Sequence, residues 1–128
     1  IKILRKGELI ALLLDQDTLP EEGGVFVDFF ALPVPISIAA AELSIRIKVP
    51  IIFIFCRWED ALGKYRIYGR PPIQPDASMT AEQFTQIIAS RVEEEIRRYP
   101  GQWLWMYKRW KRKKPGIPRE RYPFYADS

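Results

Sequence analysis

The residues best suited to chemistry lie near the C-terminus, where residues 100–111 read PGQWLWMYKRWK and combine three tryptophans and a tyrosine with three cations. An indole ring has a large apolar body and one N–H donor, so its alternation with Lys and Arg suits a surface that is apolar on one side and anionic on the other. On a helix, Trp103, Met106 and Trp110 would share a face, and we expect that face to pack inward. We expect the remaining side chains to contact a membrane or an acidic donor: Trp105, Lys108, Arg109, Lys111 and Arg112.

The charge of the chain is unevenly distributed. Residues 97–128 contain 10 basic and 2 acidic side chains, whereas residues 1–96 contain 10 basic and 14 acidic ones. A basic block beside tryptophans is typical of contact with anionic lipid, an acidic carrier protein or nucleic acid. A solvated cationic tail is the alternative. Nucleic-acid binding is supported only by charge and aromatic content, and we expect none.

Composition excludes several kinds of site. The chain contains no histidine and one cysteine, which removes the commonest general base, the usual Cys/His zinc sites and any intramolecular disulfide. We expect neither a metal nor a cofactor, and any acid–base catalysis at neutral pH would have to come from a carboxylate, Lys, Tyr or the lone Cys56. Cys56 lies in an apolar run and is expected to be a buried small hydrophobe. No apolar run is long enough to span a bilayer, and no signal peptide is visible.

The apolar pattern predicts an α/β fold with a mixed, mostly parallel sheet flanked by helices. Strands are predicted at 8–14, 25–30, 51–56 and 65–68, with 51–56 covered on both faces and joined to 65–68 by a hairpin turn at 57–63. Helices are predicted at 38–48 after Ser37, and from the Thr80/Gln83 capping box to Pro100, followed by a short helix in the tryptophan segment. The helix that ends at Pro100 should form the ion pairs Glu93–Arg97 and Glu94–Arg98 and bury one apolar face: Phe84, Ile87, Ile88, Val92, Ile96 and Tyr99. We expect residues 1–114 to form one part of a domain and residues 115–128 a Pro-rich basic tail.

Five segments in a fixed order suggest a family. They are LLLDQDT at 12–18, VFVDFFAL at 25–32, the apolar run at 49–59 that ends near an arginine, GKYRIYGRPPI at 63–73, and PGQWLWMYKRWKRKKP at 100–115. Together they resemble the C-terminal half of the bacterial lysophospholipid acyltransferase family that includes the lauroyl and myristoyl acyltransferases of lipid A biosynthesis. The resemblance implies an incomplete glycerolipid-acyltransferase-like domain.

The chain departs from the family pattern at two places. Ala31 stands where the family usually has Gly, and the PVPIS of residues 33–37 lacks the expected small Thr-Pro-x-Gly run. More importantly, the family's catalytic motif is a His followed four or five residues later by an Asp, and this chain has no His. We expect that Ile1 begins in mid-domain and that the chain alone is inactive. A natural loss of activity is the alternative.

The resemblance also suggests which residues bind substrate: Asp15, Gln16, Phe29, Phe30 and Arg57. The Asp-Gln pair follows a predicted strand, where open α/β sheets bind ligands, although a loop cap is an equal alternative. The adjacent phenylalanines would face opposite ways on an extended chain, one into the core and the other toward an acyl chain or membrane, and a purely structural role for both is the favoured alternative. The arginine can hold a phosphate or carboxylate, or simply pair with Glu59 or Asp60.

The resemblance implies that the parent protein transfers a fatty acyl group from an acyl carrier protein or acyl-CoA to a hydroxyl of a lipid A precursor or related lipid. The location implied is the cytoplasmic face of the bacterial inner membrane. A noncatalytic module that binds anionic membranes is the alternative. Because an incomplete sheet leaves an edge unpaired, we also expect a possible homo-oligomer.

Overall fold

The computed structural model describes residues 1–126 of the chain. Its elements in order are α1 (Lys2–Arg5), β1 (Gly24–Phe29), β2 (Leu32–Ser37), α2 (Ala39–Ile47), β3 (Ile54–Glu59), β4 (Lys64–Gly69) and α3 (Ala81–Arg98). Short 3₁₀ turns occur at Pro20–Glu22, Asp60–Leu62, Pro100–Gln102 and Arg119–Arg121. The long helix α3 packs against β1 and α2, so it forms the centre of the structure.

The two strand pairs are antiparallel hairpins. β1 pairs with β2 and β3 pairs with β4, while Ile51 and Ile73 form an isolated antiparallel bridge. The α/β class is confirmed, but no strand pair within residues 1–126 is parallel, so the prediction of a mostly parallel sheet is wrong for this part of the chain. Apolar runs show where strands can form, whereas the direction of pairing depends on which strand is adjacent.

The β1–β2 hairpin confirms the strand predicted at 25–30 and corrects the role of the prolines after it. Pro33 and Pro35 exclude a helix, as expected, but they lie within β2. A two-stranded hairpin has no central strand, so it tolerates residues that cannot donate to a ladder. Phe30 and Ala31 connect the strands with φ of 51° and 60°, the left-handed conformation that two-residue hairpin turns require.

The helix α3 confirms the capping box that predicted it. The Thr80 hydroxyl accepts the Gln83 backbone N–H at 3.2 Å, and the Gln83 side chain accepts the Thr80 N–H at 2.9 Å. Of the two predicted ion pairs, Glu93 with Arg97 forms, whereas Glu94 pairs with Arg91. Of the predicted apolar face, Phe84, Ile88 and Ile96 are buried and Ile87 and Val92 half-buried, whereas Tyr99 is exposed at the end of the helix.

The predicted strand at 8–14 is absent. Leu9 and Leu13 are 88% and 86% exposed, and residues 8–14 have no strand partner among the described residues. A short apolar run becomes a buried strand only when a neighbour pairs with it and covers it.

The helix at Ala39–Ile47, by contrast, agrees with the prediction of 38–48, and the Ser37 hydroxyl accepts the Ala39 N–H at 3.4 Å.

The second hairpin has one covered face. The turn at Asp60–Leu62 confirms the hairpin between 51–56 and 65–68, but the strand begins at Ile54, and Ile54 and Cys56 are exposed. The predictions of a strand covered on both faces and of a buried Cys56 are therefore wrong. Phe55 of this hairpin faces the core. Because side chains alternate between the two faces of a strand, Ile54 and Cys56 point away from the core.

The tryptophan segment follows α3 as a 3₁₀ turn and a succession of tight turns, so the predicted short helix is wrong. Trp103 and Trp110 nevertheless pack on the core cluster of β1, β2 and α3, as predicted, whereas Met106 is 89% exposed, because without a helix it does not share their face. The described part of the predicted tail, residues 115–126, also packs back, since Tyr122 is buried and its hydroxyl accepts the Lys114 N–H at 3.1 Å; residues 127 and 128 lie outside the described residues. Within residues 1–126, no helix is long and apolar enough to cross a membrane.

Candidate functional site

A buried ion pair joins the N-terminal Asp-Gln segment to the tryptophan segment. Arg109 Nη1 donates to Asp17 Oδ1 at 2.5 Å, across a separation of 92 residues, and the two side chains are only 2% and 7% exposed. Lys111 Nζ lies 3.5 Å from the other carboxylate oxygen of Asp17. Asp15 and Gln16 are exposed on the loop that this pair holds, so they lie beside the tryptophan segment rather than at the end of a strand.

A small cavity lies at this junction. Three predicted residues, Asp15, Phe29 and Arg109, line it together with Trp103. Its other walls are apolar: Leu14, Ile36, Ile88, Ala89 and Val92. The structure therefore brings three of the ten predicted site residues into one place, with two opposite charges set in an apolar lining.

The Arg109 guanidinium has unused hydrogen-bonding capacity. Its Nη2 is buried and has no hydrogen-bond partner among the described residues. Burial lowers the pKa of Arg109, while the charges of Asp17 and Asp15 act in the opposite direction. A buried N–H without a partner is unfavourable, so Arg109 carries an unsatisfied donor at the wall of this cavity.

Aromatic rings extend from the cavity toward the surface. The ring centroids of Phe29 and Phe30 are 5.0 Å apart, and Trp105 lies 5.8 Å from Phe30. Phe29 is buried and Phe30 half-buried, but they contact each other edge to face. The prediction that they face opposite ways is wrong, because the positive φ of Phe30 ends the extended chain there. Trp110 Nε1 donates to the Phe29 carbonyl at 3.2 Å and fixes that turn.

Arg57 lies outside the cavity, on β3. Its guanidinium forms an ion pair with Glu59 and lies 4.0 Å from the ring centroid of Tyr99. The hydrogen bond from Arg57 to Glu59 raises the pKa of the arginine and lowers the pKa of the glutamate. Of the two alternatives left open by the sequence, the structure shows the ion pair.

The sequence analysis missed a buried network between the second hairpin and α3. Tyr68 donates to Glu95 Oε1 at 2.5 Å, Arg70 pairs with Glu95, and Arg98 Nη1 lies 3.9 Å from the same carboxylate. Burial, and then the hydrogen bond to Glu95, raises the pKa of Tyr68 to about 12. The one available signal was the position of Glu95 next to Ile96, on the buried side of the helix.

The predicted membrane-facing residues divide into two groups. Lys108 and Arg112 are exposed, and Trp105 is 47% exposed. Lys111 is turned toward Asp17, and Arg109 is buried against it, so Arg109 presents no surface to a membrane, contrary to expectation. Neighbouring side chains in this segment of tight turns point alternately outward and inward. The amino-acid sequence alone does not show which of them point inward.

Within residues 1–126, no group of three or more His, Cys, Asp or Glu side chains is arranged to hold a metal ion. The features that the junction does offer are the apolar walls, the carboxylate of Asp15 and the guanidinium of Arg109.

Sequence comparisons agree with this assignment of segments. The profile of the family described as bacterial lipid A biosynthesis acyltransferase matches residues 1–112. The chain is 29% identical over 123 residues to the lipid A biosynthesis lauroyltransferase of Escherichia coli (strain K12), with 92% of the chain and 39% of the relative covered. It is 32% identical over 120 residues to the lipid A biosynthesis myristoyltransferase of the same organism, with 91% and 36% covered. The chain thus spans less than two fifths of the length of these relatives, and it belongs to the bacterial lipid A biosynthesis acyltransferase family.

Proposed function

We propose that this chain is part of an acyltransferase that moves a fatty acyl group from a thioester of acyl carrier protein or coenzyme A to a hydroxyl of a lipid A precursor or related lipid. The observation that carries the proposal is the family match over residues 1–112. The donor is water-soluble and the acceptor is a membrane lipid, so the reaction belongs at the cytoplasmic face of the inner membrane.

The Asp17–Arg109 junction supplies the positioning part of this proposal. Its cavity has a volume of only about 10 Å³, too small for an acyl chain, so the junction holds the Asp15 loop against the apolar core and the acyl chain binds outside the cavity. Asp15 and Gln16, exposed on the loop that the ion pair holds, orient the acceptor, and Phe29 and Phe30 flank the acyl chain. Positioning of this kind raises the reaction rate, because two reactants that are already held in line lose less translational and rotational entropy when they react.

The acceptor hydroxyl must lose its proton as its oxygen attacks the thioester carbonyl, and the thiolate leaves. The resemblance to the family implies that a histidine accepts this proton, and these 128 residues contain no histidine. The proposal therefore places the base in a part of the protein outside these residues, and it assigns binding and positioning to the part described.

Acyl transfer by the protein expressed from its complete reading frame tests the proposal. The protein is incubated with lauroyl- or myristoyl-carrier protein and a lipid A precursor in detergent, and the lipid is analysed by mass spectrometry. Asp15→Asn should lower the rate about tenfold or more. The matched control, Glu21→Gln, removes an exposed acid from a turn outside the cavity and should not. Absence of transfer by the folded protein from any thioester donor would contradict the proposal.

A noncatalytic module that binds anionic membranes is the second candidate, and the exposed Leu104 and Met106 beside Lys108 favour it. The same preparation distinguishes the two functions. Vesicle binding without acyl transfer would favour the module, whereas acyl transfer in detergent would favour the enzyme.

A further inference from the structure

Three consecutive apolar side chains project from the tryptophan segment. Leu104, Trp105 and Met106, here called the 104–106 tip, are 68%, 47% and 89% exposed. The segments on both sides of the tip pack inward through Trp103 and Trp110. Isolated exposed hydrophobes are ordinary, but a run of three at one turn indicates a contact surface.

The tip is an ordered structure. The Trp105 backbone N–H donates to the Trp103 carbonyl at 2.9 Å, and the Tyr107 N–H donates to the Leu104 carbonyl at 3.1 Å. Trp105 Nε1 donates to the Pro100 carbonyl at 2.7 Å, which fixes the indole at the edge of the tip. Because these bonds already hold the backbone, the tip can enter an apolar medium with little further loss of conformational entropy.

Cations adjoin the tip. Lys108 and Arg112 follow it closely in the chain and are exposed, and neither forms an ion pair with another described residue. They lie in the part of the chain that contains 10 basic and 2 acidic side chains, residues 97–128. An apolar projection beside unpaired cations is complementary to an interface of hydrocarbon and anionic headgroups.

We propose that the 104–106 tip inserts into the surface of a bilayer that contains anionic lipid, with Lys108 and Arg112 on lipid phosphates. This inference rests on the proposed function only for its placement of the protein at a membrane. It differs from the expectation drawn from the sequence, because Arg109 is committed to Asp17 and the apolar contact comes from Leu104 and Met106 as well as from Trp105.

Vesicle flotation tests the docking surface with two pairs of variants. The vesicles contain phosphatidylcholine with phosphatidylglycerol, or phosphatidylcholine alone. Leu104→Ser/Met106→Ser should lower affinity for the anionic vesicles at least about tenfold. The matched control, Leu9→Ser/Leu13→Ser, alters two equally exposed apolar residues and should bind as the wild type does.

A second pair of variants tests the contribution of the cations to vesicle binding. Lys108→Glu/Arg112→Glu should lower affinity for anionic vesicles about tenfold or more and should have little effect on neutral vesicles. Its control, Lys2→Glu/Lys6→Glu, makes the same change in net charge on another exposed segment. Equal losses in test and control variants would overturn the proposal, since net charge or general hydrophobicity would then explain binding.

Quenching by brominated lipid provides a second measurement. Tryptophan fluorescence should be quenched on anionic vesicles, and Trp105→Phe should lower that quenching, because Trp105 belongs to the tip whereas Trp103 and Trp110 pack on the core. Unchanged quenching would overturn the proposal, as would tight binding to a polynucleotide or to acyl carrier protein with no binding to vesicles.

Failure of the docking surface can be told apart from failure of the proposed function. Acyl transfer in detergent does not require a bilayer, so Leu104→Ser/Met106→Ser should retain it. Unchanged vesicle binding with intact acyl transfer would overturn the docking surface alone. Absence of acyl transfer with tip-dependent vesicle binding would overturn the proposed function alone.

Discussion

Asp17 offers the sharpest test of how the candidate site is held together. In the fold it is 7% exposed and contacts Arg109, which is 2% exposed. Replacing it by alanine leaves both terminal nitrogens of the guanidinium buried without a hydrogen-bond partner, because Nη2 already lacks one. Removing one partner of a buried ion pair costs about 3–5 kcal/mol, and we expect Asp17→Ala to lower the free energy of unfolding by that amount.

Variants at the residues that contact Asp17 show how much of this loss of stability belongs to the ion pair with Arg109. Lys111 lies 3.5 Å from Asp17 and is 38% exposed, so Lys111→Ala should cost less than about 1 kcal/mol. The double variant Asp17→Leu/Arg109→Met replaces the pair by apolar side chains and should be more stable than either single variant. A cycle built from these variants should give a coupling energy of about 2 kcal/mol or more between the two positions.

Urea unfolding followed by tryptophan fluorescence measures these differences, since Trp110 packs 6.1 Å from Phe29 at the same junction. The control is Arg91→Ala, which breaks an exposed ion pair with Glu94 and should cost at most about 0.5 kcal/mol. If Asp17→Ala costs no more than Arg91→Ala, the ion pair does not hold the junction and the reasoning is refuted.

Three further predictions follow from separate features of the fold. Gly24→Ala should destabilise the protein by more than about 1 kcal/mol, because a Cβ there would lie 1.7 Å from a backbone oxygen, whereas Gly101→Ala meets nothing within 4 Å and should be neutral in urea unfolding. Burial raises the pKa of Glu95, but its hydrogen bonds outweigh this and hold the pKa below its usual value. The unfolded chain therefore binds the proton first as pH falls below about 4.3, so stability should fall there, and Glu95→Gln should reduce that fall. Cys56 is exposed, so it should react with a thiol reagent in native buffer as fast as in urea.

Local signals in the sequence predicted the elements that depend on neighbours in the chain. The capping box at Thr80 and the apolar spacing after it define α3 without reference to the rest of the protein. The turn at Asp60–Leu62 likewise specified the second hairpin. These features were predictable because their hydrogen bonds join residues a few positions apart.

The elements that failed depend on distant partners. Residues 8–14 were predicted as a strand on apolar content, but their pairing and burial require a neighbour that the pattern does not specify. The outward position of Cys56 depends in the same way on which face of its hairpin is covered. The direction of strand pairing is decided by the same long-range contacts, so the parallel sheet was wrong too.

The candidate site was partly predictable. The resemblance pointed to Asp15 and Phe29, and the structure places both on one cavity. It also gave the departure at Ala31, where φ of 60° shows why glycine suits that position. The pair of Asp17 with Arg109 was not predictable, because 92 residues separate them and each has nearer charges in the sequence.

The most direct test of the account is the mass of a lipid A precursor after incubation with an acyl thioester and the protein from its complete reading frame. The account predicts a gain of one fatty acyl chain, at a rate that falls about tenfold or more in Asp15→Asn and is unchanged in Glu21→Gln. A precursor of unchanged mass, with the protein folded and the donor intact, would contradict it.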